Sequence, residues 1–232
     1  MKTLSNVLET GEENELLSCM ERGILSCNRY LNYEGGLHDH LFSSKDSPFL
    51  ARTIFTHFGG AIAISKILST ILEEGHAHFI TEELKSSGLD MILRREDANG
   101  YDFILQRSNG KLIVEIEQKI TTTLDEGKMI KKWTTNKYSC NKVPLHLLIP
   151  YRTHEDKISE LGAYLVDKDA DNSVIETSTK SENSGFGNIA LTPEAMNSPN
   201  FVRLIGDISM TSMKGNVMTS GPQAILVNRL EK

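Results

Sequence analysis

Cysteine is scarce: Cys19, Cys27 and Cys140 are an odd number among 232 residues, with no Cys-x-x-Cys spacing. That excludes a disulfide framework and a zinc site built on paired cysteines, and it predicts free buried thiols in a reducing compartment. No apolar run approaches the roughly 20 residues that a membrane-spanning helix needs. Met1–Thr10 lacks the basic start and apolar core of a secretory leader, so the expected location is the cytoplasm, with no membrane partner. Basic charge is also in short supply: 25 Lys and Arg against 31 Asp and Glu leave a formal net charge of −6. A generic nucleic-acid binder is basic overall, so any phosphate recognition here has to come from local clusters. There is no internal repeat and no Gly-rich phosphate loop of the Walker type; Gly185-Phe186-Gly187 does not amount to one. Hydrophobic content of 39% and charged content of 24% are ordinary for a folded domain and argue against disorder. The length suits one domain, or a core with an appended part.

The most informative stretch is Gly100 to Thr122, GYDFILQRSNGKLIVEIEQKITT. Phe103, Ile104 and Leu105 form a short apolar run, Ser108-Asn109-Gly110 is a turn signal, and Leu112, Ile113, Val114 and Ile116 form a second, β-branched run. A hairpin with Asn109-Gly110 as a two-residue loop sets Asp102 opposite Glu117 and Ile104 opposite Glu115. Directly opposed residues share a sheet face with Cβ atoms about 5 Å apart. Asp102, Glu115, Glu117 and Lys119 therefore fall in one patch. Carboxylates so close repel unless a cation sits among them. Mg²⁺ suits the patch, because this hard cation takes one or two carboxylates and keeps several waters. The adjacent lysine can then hold a water or steady a phosphate.

An Asp opening a hairpin, an apolar strand and then Glu117-Gln118-Lys119 resembles the core of the PD-(D/E)XK nuclease superfamily, which includes many restriction endonucleases. The resemblance covers roughly residues 83 to 151. It implies an α/β (α+β) fold with a mixed sheet flanked by helices, and Mg²⁺-dependent hydrolysis of DNA phosphodiester bonds. Mn²⁺ is expected to substitute. Two departures stand out. Gly100 and Tyr101, rather than Pro, precede Asp102, and Leu-Ile-Val-Glu115-Ile-Glu117 also resembles a Glu-x-Glu variant. In that variant Glu115 is the metal ligand, Glu117 takes the lysine's place and Lys119 is peripheral. The hairpin register favours Asp102 with Glu117, and both assignments stay open.

The rest of the chain frames this hairpin. An N-terminal helical region is expected over 1–80, a nuclease-like core over 81–166 and a C-terminal region with target-recognition segments over 167–232. A helix is predicted through Leu16, Leu17, Met20, Ile24 and Leu25, and Asn28–Pro48 reads as a loop containing His38-Asp39-His40. Ser47-Pro48 opens a long helix, interrupted at Gly59-Gly60 and ended by Gly75, whose apolar stripe is a candidate dimer face. His76-Ala77-His78 reads as cap and loop, and a shorter helix begins at Thr81, with Glu82 and Glu83 as weaker candidates for the metal site. Leu89–Arg95 reads as a first strand.

After the hairpin, Asp125–Cys140 is predicted helical, with Met129, Ile130 and Trp133 on its apolar face. Lys128, Lys131 and Lys132 on the other face are candidate contacts to DNA phosphates. Val143–Pro150 is an apolar run suited to a strand covered on both faces, reached by a crossover. Glu155–Val166 reads as a further helix, Asp167–Gly187 as a long polar loop, Val202–Ser209 as a short element and Gln223–Leu230 as a strand. These features together predict a type II restriction endonuclease acting as a homodimer on double-stranded DNA. A structure-selective repair or junction nuclease with the same core, and a non-catalytic interaction protein with a merely solvated acidic face, are the alternatives.

Overall fold

The computed structural model describes residues 1–33, 61–96, 100–121, 132–136, 142–154, 157–160, 162–168, 175–179, 186–191 and 197–205. A short helix α1 (Lys2–Ser5) leads into α2 (Thr10–Tyr33), and α3 (Ala61–Ser86) precedes the strands. The strands are β1 (Ile92–Arg95), β2 (Phe103–Gln106), β3 (Leu112–Thr121), β4 (Lys132–Asn136), β5 (Leu145–His154), β6 (Lys157–Glu160), β7 (Ala163–Asp167), β8 (Ile175–Thr179), β9 (Phe186–Leu191) and β10 (Phe201–Ile205). The main sheet has the order β1-β2-β3-β5-β7-β10, with β6 paired to the far part of β5. It is mixed: β3 and β5 run parallel, and its other pairs are antiparallel. The order β4-β9-β8 makes a second, antiparallel sheet. The expected mixed sheet with helices is therefore present.

Alternation along the strands decides which face meets the helices. Phe103 and Leu105, Val114 and Ile116, Leu145 and Leu147, and Ala163 and Leu165 lie on one face. They join a core with Leu16, Met20 and Ile24 of α2 and Ala77, Ile80 and Leu84 of α3. Each large side chain so buried contributes about 1.5–3 kcal/mol relative to leaving it in water. The helices lie antiparallel and close, because Gly23 and Gly75 carry no side chain. A Cβ on Gly23 would come within 2.6 Å of the Ile80 backbone, and one on Gly75 within 2.5 Å of Cys27 Sγ. The Thr81 hydroxyl donates to the Leu93 carbonyl at 2.9 Å and accepts from the Leu93 N–H at 3.0 Å, which covers the outer edge of β1. Arg107, at the hairpin turn, reaches Glu12 of α2 through two parallel bonds of 2.6 and 3.0 Å.

Several elements differ from expectation. Gly75 does not end a helix: α3 runs through it, through His76-Ala77-His78 and on to Ser86. Close packing on Cys27 is what the glycine serves. The helix α2 continues to Tyr33, past the expected start of the loop. The helix expected over 125–140 is contradicted at Lys132–Asn136, which is β4. Its Trp-Thr-Thr sequence suits a strand, and pairing with β9 decides the matter. The helix expected over 155–166 is replaced by β6 and β7. Ile158, Leu161 and Leu165 have helical spacing, but Ala163–Val166 is buried on both faces, as an inner strand is. Within the expected 167–187 loop, β8 pairs with β9. The expected boundary at 80/81 falls inside α3, and β10 joins the main sheet from the region expected to be C-terminal. His38-Asp39-His40, the start of the Ser47 helix, Cys140 and the strand at 223–230 lie outside the described residues. In the described part of α3 the apolar stripe of Leu72, Ala77, Ile80 and Leu84 is buried.

Candidate functional site

The hairpin sets the site. Ile104 pairs with Glu115 and Phe103 with Ile116, the register expected from the sequence. The turn that produces it is different. Arg107 accepts from Gly110 N–H at 2.8 Å, and the Arg107 N–H donates to Lys111 at 2.8 Å, so the loop is one residue longer than two. Gly110 has φ of 86°, which glycine adopts without strain. A register shift between Leu105 and Gln106 returns the offset. Asp102, just before β2, donates its N–H to the Ile116 carbonyl at 3.1 Å and accepts the Gln118 N–H on Oδ2 at 2.7 Å.

Asp102, Glu117 and Lys119 come together on the side of β3 opposite Val114, Ile116 and Gln118. Lys119 Nζ pairs with Glu117 Oε1 and lies 3.8 Å from Asp102 Oδ2. Glu117 is buried, while Asp102 and Lys119 keep about a quarter of their side-chain surface. Burial pushes the Asp102 carboxyl up to about 7; Lys119 pulls it down, and Glu117 and Glu73 push it further up. Burial disfavours the Lys119 ammonium, but Glu117 and Asp102 outweigh that and hold its pKa above the ordinary lysine value. Acid and base are both displaced toward their protonated forms. Burial does most of this at Asp102, and the two carboxylates do it at Lys119.

Glu73, the further acid that both groups sense, escaped the sequence reading. It lies on α3, buried, where Ser69 Oγ donates to it at 2.7 Å and Arg95 Nε at 3.2 Å. The acids expected from that helix are engaged elsewhere: Glu83 pairs with Arg22 at 2.7 Å and Glu82 with Lys85 at 2.7 Å. No local pattern marks it: one turn away along the helix stand Ser69, Thr70, His76 and Ala77, and Glu74 follows it directly.

Glu115 shares the face but stands apart. It is half-buried, burial alone raises its pKa, and among the described residues its carboxylate makes no hydrogen bond or ion pair. On β5, His146 pairs in register with Glu117 and is fully buried. Burial, then the charges of Lys119 and Lys168, lowers its pKa to about 3, so it is neutral. Lys128 and Lys131 lie outside the described residues. Lys132 opens β4.

The donor set fits a hard divalent cation in number and kind: two carboxylates meet on one side of the sheet and carry excess negative charge. Among the described residues no three His, Cys, Asp or Glu side chains form a ready ligand cage. A cation here would keep water in its remaining positions, as Mg²⁺ does. No protein-family model matches the chain, and comparison with curated proteins gives no match. Among the described residues no helix is long and apolar enough to cross a membrane.

Proposed function

We propose that the chain is a Mg²⁺-dependent endonuclease of the PD-(D/E)XK kind that hydrolyses phosphodiester bonds in double-stranded DNA, and more specifically a type II restriction endonuclease. The observation that carries this reading is the placement of Lys119 between Glu117 and Asp102 on one sheet face. The hairpin followed by a crossover to a parallel strand supports it, because β5 pairs with β3 in the sense that the resemblance implies. The helix expected in that crossover does not support it, since 132–136 is a strand.

In this reading Asp102 and Glu117 hold the cation, with Mn²⁺ able to replace Mg²⁺ on the same oxygen donors. Bound there, Mg²⁺ supplies Lewis acidity toward a phosphoryl oxygen. The remaining work falls to the chain. Lys119, kept protonated by its two carboxylates, donates hydrogen bonds to phosphate oxygens as negative charge grows on them. A water oxygen forms a bond to phosphorus and gives a proton to solvent, while the bond to the leaving sugar oxygen breaks and that oxygen takes up a proton. The products are a phosphate monoester and a free hydroxyl. Glu73, anchored by Arg95, adds negative charge on the helix side of the site. A palindromic target would call for a homodimer, one active site per strand.

The test is incubation of purified protein with unmethylated duplex DNA, in Mg²⁺ or in EDTA, beside Glu117→Ala and Glu115→Ala. Discrete fragments that need Mg²⁺ and are lost in Glu117→Ala are expected. Loss in Glu115→Ala alone would move the ligand to Glu115. Cutting restricted to branched DNA would assign a structure-selective nuclease. No cutting of linear, branched or single-stranded DNA with Mg²⁺ or Mn²⁺ would refute the proposal.

A further inference from the structure

Gln118 is the one polar residue on the core face of β3, in line with Val114 and Ile116, and it is 1% exposed. His76 of α3, 0% exposed, bonds it: Nδ1 and Oε1 are 2.6 Å apart. An amide oxygen only accepts, so Nδ1 carries the hydrogen and Nε2 is bare. Neither His76 Nε2 nor Gln118 Nε2 has a hydrogen-bond partner among the described residues. Leaving buried polar atoms unsatisfied costs about 1–3 kcal/mol each, whereas replacing both partners by apolar groups of similar shape can be nearly neutral. Stability alone therefore favours an apolar pair here. What the polar pair supplies is placement. Gln118 lies between Glu117 and Lys119, and its own N–H holds Asp102 at 2.7 Å. His76 is three residues beyond Glu73, one turn along the same helix.

We propose that His76 and Gln118 are a positioning pair: one bond between α3 and the core face of β3 fixes the strand rotation that presents Glu117 and Lys119, aims the Gln118 N–H at Asp102, and sets Glu73 near Asp102 and Lys119. This rests on reading the cluster as the nuclease centre. Neither residue touches the reacting atoms. The bond acts through the residues on either side of Gln118, and it works in one direction only, because the side chains of β3 alternate between faces. A strand free to rotate by a few degrees would carry both charged groups away together.

The test compares wild type, His76→Leu/Gln118→Leu, His76→Gln and Gln118→Leu in full-length protein. It measures Mg²⁺-dependent cleavage under single-turnover and steady-state conditions, hydrogen exchange of the Gln118 amide, and thermal unfolding. The double variant is expected to melt close to wild type, with kcat down about 100-fold, the scale of an ångström-level misplacement, and KM within about threefold. Its Gln118 amide should exchange faster. His76→Gln, which keeps a donor toward Gln118, should recover most of kcat. A double variant that folds, keeps wild-type kcat and keeps its amide protected would overturn the positioning role. If wild type itself cleaves nothing, the nuclease reading fails and the amide decides separately. Lost protection in the double variant upholds the placement of Asp102 by this bond, and unchanged protection refutes it. If the double variant does not fold, Gln118→Leu serves in its place, with the same pair of readouts.

Discussion

On one face of β3, Val114 and Ile116 lie beneath α2 and α3, and a neutral pair, His76 with Gln118, continues the row. On the other face, Glu117 and Lys119 stand beside Asp102 with their charges only partly balanced. Both faces take polar groups out of water, yet the consequences are opposite. The helix-side pair is uncharged, and burial holds the imidazole neutral by lowering its pKa to about 4. The far side gathers like charge, which folding by itself disfavours. Burial, with Glu117 and Glu73, raises the Asp102 carboxyl to about 7, and on the proposed reading a bound cation offsets that charge. The contrast separates a face that builds the fold from a face that costs it stability, a cost that the proposed nuclease reading assigns to chemistry.

Substitutions can break the comparison. The largest effect belongs to the charged face. Lys119→Ala should lower single-turnover cleavage by about 10³-fold, roughly 4 kcal/mol of barrier, while far-UV circular dichroism stays that of wild type. The helix side should behave the other way round. Ile116→Ala removes a buried side chain and should cost about 3 kcal/mol in urea unfolding, with the cleavage rate of the folded fraction little changed.

A third effect comes from His76. Its folded pKa is depressed to about 4 from an ordinary 6.5, so its contribution is complete above about 6.5 and is lost as pH falls through 4. Wild type should lose about 3 kcal/mol more over that window than His76→Gln does, measured by urea unfolding at each pH. The smallest effect tests the border of the charged face. Glu115→Gln should change cleavage by less than about threefold, under 1 kcal/mol, because Glu115 stands outside the ion-paired trio.

The hairpin could be read from residues alone, because Phe103–Leu105 and Leu112–Ile116 alternate and Asn109-Gly110 marks the turn. The pairing of Ile104 with Glu115 followed, although the turn is longer than two residues and a bulge restores the offset. Val143–Pro150 was legible for a similar reason: continuous apolar character survives as β5, covered on both faces. What failed were segments whose periodicity is ambiguous. Ile158, Leu161 and Leu165 suit a helix by spacing, but pairing with β5 makes strands of β6 and β7. Lys132–Asn136 fits a helix by the spacing of Trp133 from Met129 and Ile130, yet its Trp and two Thr match the strand that forms. Glu73 was missed because it joins the site only through the placement of α3 against the sheet, which no local pattern encodes. Gln118 was visible as a polar residue in an apolar row, but its partner lies 42 residues away.

The most direct test of the account is a divalent-ion titration followed by thermal unfolding, in wild type and in Glu117→Gln. If Asp102 and Glu117 form a cation site, Mn²⁺ or Mg²⁺ stabilises the native state by mass action and raises Tm with ion concentration in wild type. Glu117→Gln should show little of that rise. An equal rise in both proteins, or none in wild type up to concentrations that saturate Mg²⁺-dependent nucleases, would contradict the reading of this face as a metal-dependent catalytic site.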